Sequence, residues 1–87
     1  MDWDKLRIFH VVSEAGSFTR AGERLNLTQS SVSRQISGLE EDLGVPLFHR
    51  HARGLKLTEQ GETLYRTAQE IASKLTTAES LVTESME

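Results

Sequence analysis

The most constraining feature of the sequence is a gap of only three residues between two segments with helical periodicity. Before the gap, Ser17 is a favourable cap for a short helix that runs to about Leu25. After the gap, Thr28 is placed to cap a second helix from about Gln29 to Leu43. Two helices joined by so tight a turn form a helix-turn-helix. The sequence therefore predicts this motif between residues 17 and 43.

The second helix of this motif has two very different faces. Its apolar residues are spaced by 4, 3 and 4 and form a stripe that we expect to be buried: Val32, Ile36, Leu39 and Leu43. At about 100 degrees per residue, the opposite face collects small side chains and one guanidinium: Ser30, Ser33, Arg34, Ser37 and Gly38. No bulky side chain prevents this face from approaching a partner closely.

The residues after the motif predict a small β-hairpin. Gly44 stops the helix, and Pro46 prevents it from resuming. Two short strand-like runs follow, at 47–50 and 55–58. The turn between them contains Gly54. This pattern indicates a hairpin, or wing, beside the helix-turn-helix.

A long final helix is predicted after Thr58, which can cap it. If all 30 residues from 58 to 87 are helical, it is about 45 Å long, which is too long for one small domain to cover. Its apolar residues have the heptad spacing of helices that pair: Leu64, Ala68, Ile71, Leu75, Ala78 and Val82. We therefore expect a dimer through this helix, although the same seam can also pack back on its own domain.

Together these patterns predict a mostly α-helical fold. A core helix from Trp3 to Ala15, ended by Gly16, precedes the helix-turn-helix. The expected architecture is a winged helix-turn-helix, with three helices plus a short β-hairpin wing, followed by a long linker helix. We assign 1–57 to the DNA-binding domain and 58–87 to the linker and dimerisation helix.

Five segments match the signature of the N-terminal DNA-binding region of LysR-type transcriptional regulators: FTRAGERL at 18–25, LTQSSVSRQI at 27–36, LE at 39–40, LG at 43–44 and LFHR at 47–50. The chain resembles that family over essentially all 87 residues. The resemblance implies a bacterial regulator that binds double-stranded DNA sequence-specifically and forms a homodimer through the linker helix. The family normally continues into a ligand-sensing domain, so we expect an effector ligand only there and no cofactor in this chain.

The small-residue face of the helix at 29–43 has the chemistry of a major-groove reader. Helix-turn-helix proteins present the N-terminal part of their recognition helix to base edges. The amide of Gln29 suits the paired donor and acceptor of adenine, and the guanidinium of Arg34 suits the two acceptors of guanine. We expect base contacts from four residues: Gln29, Ser30, Ser33 and Arg34.

Other polar residues are placed to contact the DNA backbone or the minor groove. Arg53, beside Gly54 at the wing tip, suits a narrow minor groove because the negative potential there attracts a guanidinium. Hydroxyl groups and cations nearby suit phosphates. We expect such contacts from Thr19, Arg20, Thr28, Ser31, Ser37, Arg50 and Lys56.

Simpler interpretations of these residues remain open. The serines at the helix start can act only as first-turn residues. Arg34 can pair with Glu40 or Glu41 on the surface, and Arg24 can be a plain surface cation. His10 is better interpreted as a partly buried structural histidine than as a catalyst, because no carboxylate or nucleophile is expected beside it.

The charge distribution leaves one functional alternative. The formal net charge is −3, whereas DNA-binding domains are usually basic. Residues 1–57 carry eight of the ten Lys and Arg and seven of the thirteen Asp and Glu, so the acidity lies mainly in 58–87. The main alternative is a winged-helix domain that binds a protein and not DNA. Its affinity for duplex DNA would show no salt dependence.

Other classes of function lack their characteristic residues. The chain has no cysteine, which excludes a disulfide framework and a thiolate nucleophile. No Gly-rich phosphate loop, metal-ligand cluster or activated nucleophile appears in the sequence, so we expect neither an enzyme nor a metal site. The acidic N-terminus does not resemble a signal peptide, and no segment approaches the roughly 20 apolar residues of a membrane span. We therefore expect a cytoplasmic protein.

Overall fold

The computed structural model describes residues 1–84, and this range contains four helices and one two-stranded antiparallel sheet. The elements follow the chain in the order α1 (Trp3–Ala15), α2 (Phe18–Leu25), α3 (Gln29–Leu43), β1 (Phe48–His51), β2 (Gly54–Leu57) and α4 (Glu59–Glu84). The predicted winged, mostly α-helical fold is therefore confirmed. The final residues of the predicted linker helix, 85–87, lie outside the described range.

Side-chain caps and left-handed residues set the helix boundaries. The Ser17 hydroxyl accepts a hydrogen bond of 3.0 Å from the Arg20 amide, and the Thr28 hydroxyl accepts one of 3.1 Å from the Ser31 amide. These bonds satisfy amides that have no partner in the first turn of α2 and α3. The tight turn between the two helices has Asn26 in the left-handed region, with φ 57°. The sequence-based boundaries of the helix-turn-helix are confirmed.

The core lies where α3 crosses α1. Val32, Ile36 and Leu39 of α3 are completely buried, as are Phe9 and Val12 of α1. Removing apolar side chains of this size from water stabilises the fold by about 1.5–3 kcal/mol each. The predicted stripe on α3 is thus confirmed over most of its length.

The prediction that Leu43 completes this stripe is wrong, because its side chain is 39% exposed. Leu43 is the last residue of α3, and Gly44, with φ 72°, turns the chain out of the helix directly after it. The turn brings Leu47 back beside Glu40, whose carboxylate accepts a hydrogen bond from the Leu47 amide. Leu47 is 1% exposed and is the leucine that is buried at this end of the core.

The hairpin strands lie one residue away from their predicted positions. Their register pairs Phe48 with Leu57 and His51 with Gly54, which places Leu47 before β1 and Thr58 after β2. The Thr58 amide still donates to the Leu47 carbonyl at 2.9 Å, and its side chain marks the start of α4. Its hydroxyl donates to the Pro46 carbonyl at 2.7 Å and accepts from the Gly61 amide at 3.0 Å, so it caps α4.

The start of α4 packs tightly against Leu47, the residue that leads into β1. A Cβ atom at Gly61 would lie 2.1 Å from the carbonyl oxygen of Leu47, so only glycine fits here. Further along α4, Ala68 is 2% exposed in the core, and Leu64 and Ile71 pack partly against it. The side chains from 73 to 84 are all exposed. The first half of α4 therefore belongs to the packed domain. The helix then runs beside α1, where residues as far as Thr77 line open depressions, and the part after Thr77 projects from the domain.

We predict that Gly61→Ala lowers the free energy of unfolding by about 1–3 kcal/mol or more, because the new methyl group meets backbone that cannot move aside easily. The matched control is Gly38→Ala, since a Cβ at Gly38 in α3 has no neighbour within 4 Å. The control should gain about 0.5–1 kcal/mol from helix propensity. Urea unfolding of the three proteins at equal concentration measures both changes, and an undiminished stability of Gly61→Ala would contradict this packing.

Candidate nucleic-acid interface

The N-terminal half of α3 presents an open polar face. Gln29, Ser30 and Arg34 are exposed, and Ser33 is partly exposed. This face lies opposite the buried stripe on the same helix, so the packing of the core fixes its direction. Gly38 extends it without adding a side chain, and nothing lies within 4 Å of where its Cβ would be. The face is therefore shallow enough for a partner to reach the helix closely.

The Arg34 guanidinium is not used by the fold. Within the described residues the ion pairs are Lys5 with Asp42 and Arg50 with Glu40, and the imidazole of His10 lies 3.5 Å from the Glu14 carboxylate. The surface pair of Arg34 with Glu40 or Glu41, which the sequence left open, is absent from residues 1–84. All five N–H donors of Arg34 are consequently available to a ligand.

Five of the predicted DNA-contacting residues line one open depression between α2, α3 and the wing: Thr19, Arg20, Gln29, Arg50 and Arg53. The three arginines come from two different segments of the chain, and the fold brings them together. Thr28 precedes Gln29 and caps α3 as described above. Ser31 and Arg34 line a separate open depression with Lys5 and Gly38. The result is a surface on which positive charge is concentrated although the chain as a whole is acidic.

The wing is attached to the end of α1. The Leu55 amide donates a hydrogen bond of 3.0 Å to the Gly16 carbonyl, which anchors β2 beside the turn before α2. Gly54, with φ 135°, allows this close approach, because a Cβ there would lie 3.0 Å from the same carbonyl oxygen. Arg53 and Lys56, on either side of this anchor, are exposed. The hairpin therefore holds both cations on the surface: Arg53 lines the depression that borders α2, and Lys56 lies on the wing beside Gly16.

Arg50 has contacts that the sequence did not indicate. Its Nη2 atom donates to the Ser37 hydroxyl at 3.2 Å and lies 3.4 Å from Oε1 of Glu40. Its guanidinium carbon lies 5.1 Å from the centre of the Phe18 ring, within the range of a cation–π contact. Arg50 and Ser37, both expected to contact DNA, are therefore bonded to each other.

Glu40 is the residue of this region that sequence reasoning missed, since it was considered only as a partner of Arg34. Its side chain is only 18% exposed. A signal was present, because Glu40 follows Ile36 by four residues and so lies at the edge of the buried stripe. A carboxylate at such a position needs hydrogen-bond donors, and the start of the wing is the nearest source of them.

Two further polar contacts hold α3 and α4 in place. At the far end of α3, the Nζ atom of Lys5 lies 3.0 Å from Oδ2 of Asp42. This hydrogen bond and the opposite charge lower the pKa of Asp42 and raise the pKa of Lys5. Between α1 and α4, Nε2 of His10 lies 2.6 Å from Oε1 of Gln69. This contact agrees with the structural interpretation of His10. The expectation that no carboxylate lies beside it is wrong, because Glu14, one helical turn later, places Oε1 3.5 Å from the same nitrogen.

These features define a class of protein. Three helices, of which α2 and α3 are joined by a tight turn, carry a β-hairpin wing and an outward polar face on α3. That combination is a winged helix-turn-helix domain. The family model described as "Bacterial regulatory helix-turn-helix protein, lysR family" matches residues 3–62. The chain belongs to the LysR family.

Curated relatives are transcriptional regulators. The chain is 46% identical over 79 residues to the HTH-type transcriptional regulator YofA of Bacillus subtilis (strain 168). This match covers 91% of this chain and 28% of that protein. The chain is 48% identical over 73 residues to the glycine cleavage system transcriptional activator of Escherichia coli (strain K12). That match covers 84% of this chain and 24% of the relative. The chain thus spans less than a third of the length of these relatives.

Solved structures with the same fold include two DNA complexes. The structure titled "BenM_DBD/benA site 1 DNA Complex" has a TM-score of 0.84 and 37% identity, and the match covers 97% of this chain and 94% of that chain. The structure titled "CbnR_DBD-DNA complex" has a TM-score of 0.80 and 32% identity, and the match covers 100% of both chains. Within residues 1–84, no helix is both long and apolar enough to cross a membrane.

Proposed function

We propose that this chain binds double-stranded DNA sequence-specifically, as the DNA-binding domain of a LysR-type transcriptional regulator. The observation that carries the proposal is the exposed polar face at the start of α3, which is flanked by the arginines of α2 and the wing. An α-helix fits the major groove of B-DNA, and a face of small side chains lets it enter deeply. Two solved structures with this fold, at 37% and 32% identity, are titled as DNA complexes, which supports the proposal.

Direct readout is assigned to the face of α3. Arg34 would donate two hydrogen bonds to guanine, and Gln29 would bond to adenine through its amide. Ser30 and Ser33 would bond to base edges within reach of the same helix turn. Each good bidentate contact discriminates against a wrong base by about 1–3 kcal/mol.

Affinity is assigned to the residues around that face. Arg20, Arg50 and Lys56 would neutralise phosphates, and Arg53 would enter the minor groove next to the half-site. Hydroxyl groups would add neutral phosphate contacts from Thr19, Thr28, Ser31 and Ser37. These contacts fix the position of α3 on the duplex and carry no sequence information directly.

We also propose a homodimer through the linker helix, in a chain divided at 57 and 58 into a DNA-binding domain and a dimerisation helix. The second half of α4 supplies exposed apolar residues of the predicted seam at Leu75 and Val82, which are 46% and 63% exposed, with Ala78 between them. The other predicted seam residues, Leu64, Ala68 and Ile71, pack on the chain's own core, and the burial of Ala68 at 2% exposure excludes it from the proposed interface. A dimer would place two reading helices on an inverted-repeat site in the cytoplasm.

The first test of this function is Arg34→Ala. Loss of the guanidinium removes bonds to base edges, so affinity for a duplex selected from a random pool should fall by roughly tenfold or more. Affinity for a scrambled duplex should fall much less. The charge-matched control is Arg66→Ala, because Arg66 is exposed on α4 and does not line the depression. Fluorescence anisotropy measures the four affinities, and equal losses on both duplexes would contradict direct readout by Arg34.

The dimer is tested by Leu75→Lys, which places a charge in the seam. Sedimentation equilibrium should show monomers for this variant and dimers for the unchanged chain, because a buried unpaired charge is costly at a helix interface. Ser80→Lys is the control, since Ser80 is exposed on the opposite side of α4. If Leu75→Lys sediments as a dimer, the seam is not the interface.

A further inference from the structure

A single carboxylate connects the recognition helix α3 to the wing. Oε2 of Glu40 accepts hydrogen bonds from the backbone amides of Leu47 and Phe48, at 2.7 Å and 3.4 Å. Oε1 of the same group accepts from Nη2 of Arg50 at 3.4 Å. The two amides fix the start of β1, and the guanidinium lies further along that strand. Glu40 therefore holds the backbone of the wing and one of its side chains at the same time.

The guanidinium of Arg50 is held from three sides. Glu40 and Ser37 of α3 both accept from its Nη2 atom, and the ring of Phe18 in α2 lies against its face. Within residues 1–84 no hydrogen bond uses its Nη1 or Nε atom, and the side chain is 47% exposed beside the depression between α2, α3 and the wing. One edge of the guanidinium is thus fixed by protein, and the donors that remain are available to a ligand.

We propose that Glu40 is a positioning residue for DNA binding, which acts through Arg50. By fixing one edge of the guanidinium before DNA arrives, Glu40 removes conformational freedom that binding would otherwise have to remove. The remaining N–H groups then point to one place on the duplex backbone, and the wing keeps one angle to α3. This inference rests on the proposed function, because it explains how Arg50 is positioned for the phosphate contact proposed above.

A purely electrostatic role and a positioning role of Glu40 predict opposite changes in DNA affinity when its charge is removed. A carboxylate near the DNA backbone repels phosphate, so if only charge mattered, its neutralisation would tighten binding. If Glu40 positions Arg50, the same neutralisation weakens binding. The sign of the change therefore separates the two roles.

The experiment compares Glu40→Gln with Glu41→Gln by fluorescence anisotropy, on a labelled duplex that the unchanged chain has selected from a random pool. In Glu40→Gln the amide oxygen can still accept from the Leu47 amide, but the amide nitrogen then faces Arg50 and cannot accept from it. We expect about threefold to tenfold weaker binding for Glu40→Gln. Glu41 is exposed, and Glu41→Gln removes the same charge as Glu40→Gln. This control variant should bind the duplex as tightly as the unchanged chain or more tightly.

A second variant keeps the inference testable if Glu40→Gln folds poorly. Arg50→Lys retains the positive charge but loses the planar fork that meets Glu40 and Ser37 together. It should bind as weakly as Glu40→Gln, and adding Glu40→Gln to Arg50→Lys should cause no further loss. Circular dichroism and thermal unfolding establish that each variant is folded in the titration.

The outcomes distinguish this inference from the proposed function. If the unchanged chain shows no salt-dependent affinity for the duplex, the proposed function fails and the inference fails with it. If the unchanged chain binds but Glu40→Gln matches Glu41→Gln, the positioning role alone is overturned. Full affinity of Arg50→Lys, or additive losses in the double variant, would overturn it as well.

Discussion

The burial of one side of α3 against α1 is the interaction on which the rest of the structure depends. Val32, Ile36 and Leu39 have no exposed surface, and they pack in the same core as Phe9 and Val12. Because an α-helix has a fixed period, burying these residues turns Gln29, Ser30 and Arg34 outward. The direction of the candidate DNA-binding face is therefore a consequence of hydrophobic packing, and no additional contact is required to orient it.

Hydrogen bonds at the ends of elements then place the surrounding parts. The wing is held at its start by Glu40, at its second strand by the Gly16 carbonyl and at its exit by Thr58. These contacts are made by groups that would otherwise be buried without partners, so they are costly to break. They bring the cations of the wing beside those of α2, although the segments are about 30 residues apart in the sequence.

The features that could be predicted from the sequence are those set by local chemistry. Ser17 and Thr28 cap their helices because hydroxyl groups satisfy free amides, and the apolar spacing in α3 identifies the buried side. The features that were missed depend on how the chain turns after α3. Leu43 is exposed because the turn at Gly44 brings Leu47 into the core in its place. The strands lie one residue from their predicted limits because their register pairs Phe48 with Leu57 and His51 with Gly54.

The candidate site likewise has features that the local sequence pattern predicts and features that depend on the folded arrangement. Which residues face outward on α3 followed from periodicity alone, and their roles on DNA stay a proposal. The bond between Arg50 and Glu40 could not be predicted, since it needs the angle between the wing and α3. Likewise, the sequence identified an apolar seam in α4 but not where the domain ends. In the structure, Ala68 packs in the chain's own core, whereas Leu75 is 46% exposed and lines an open depression beside Trp3 and Leu6 of α1.

The most direct test of the central claim is the salt dependence of duplex binding. Three cations in each chain are proposed to neutralise phosphates: Arg20, Arg50 and Lys56. Each neutralised phosphate contributes about −0.9 to the slope of log affinity against log salt, so we expect a slope of about −2.7 per chain. Fluorescence anisotropy titrations at several salt concentrations measure it. A steep negative slope is the result that we predict. An affinity that is absent or independent of salt would contradict DNA binding and favour a protein-binding winged helix.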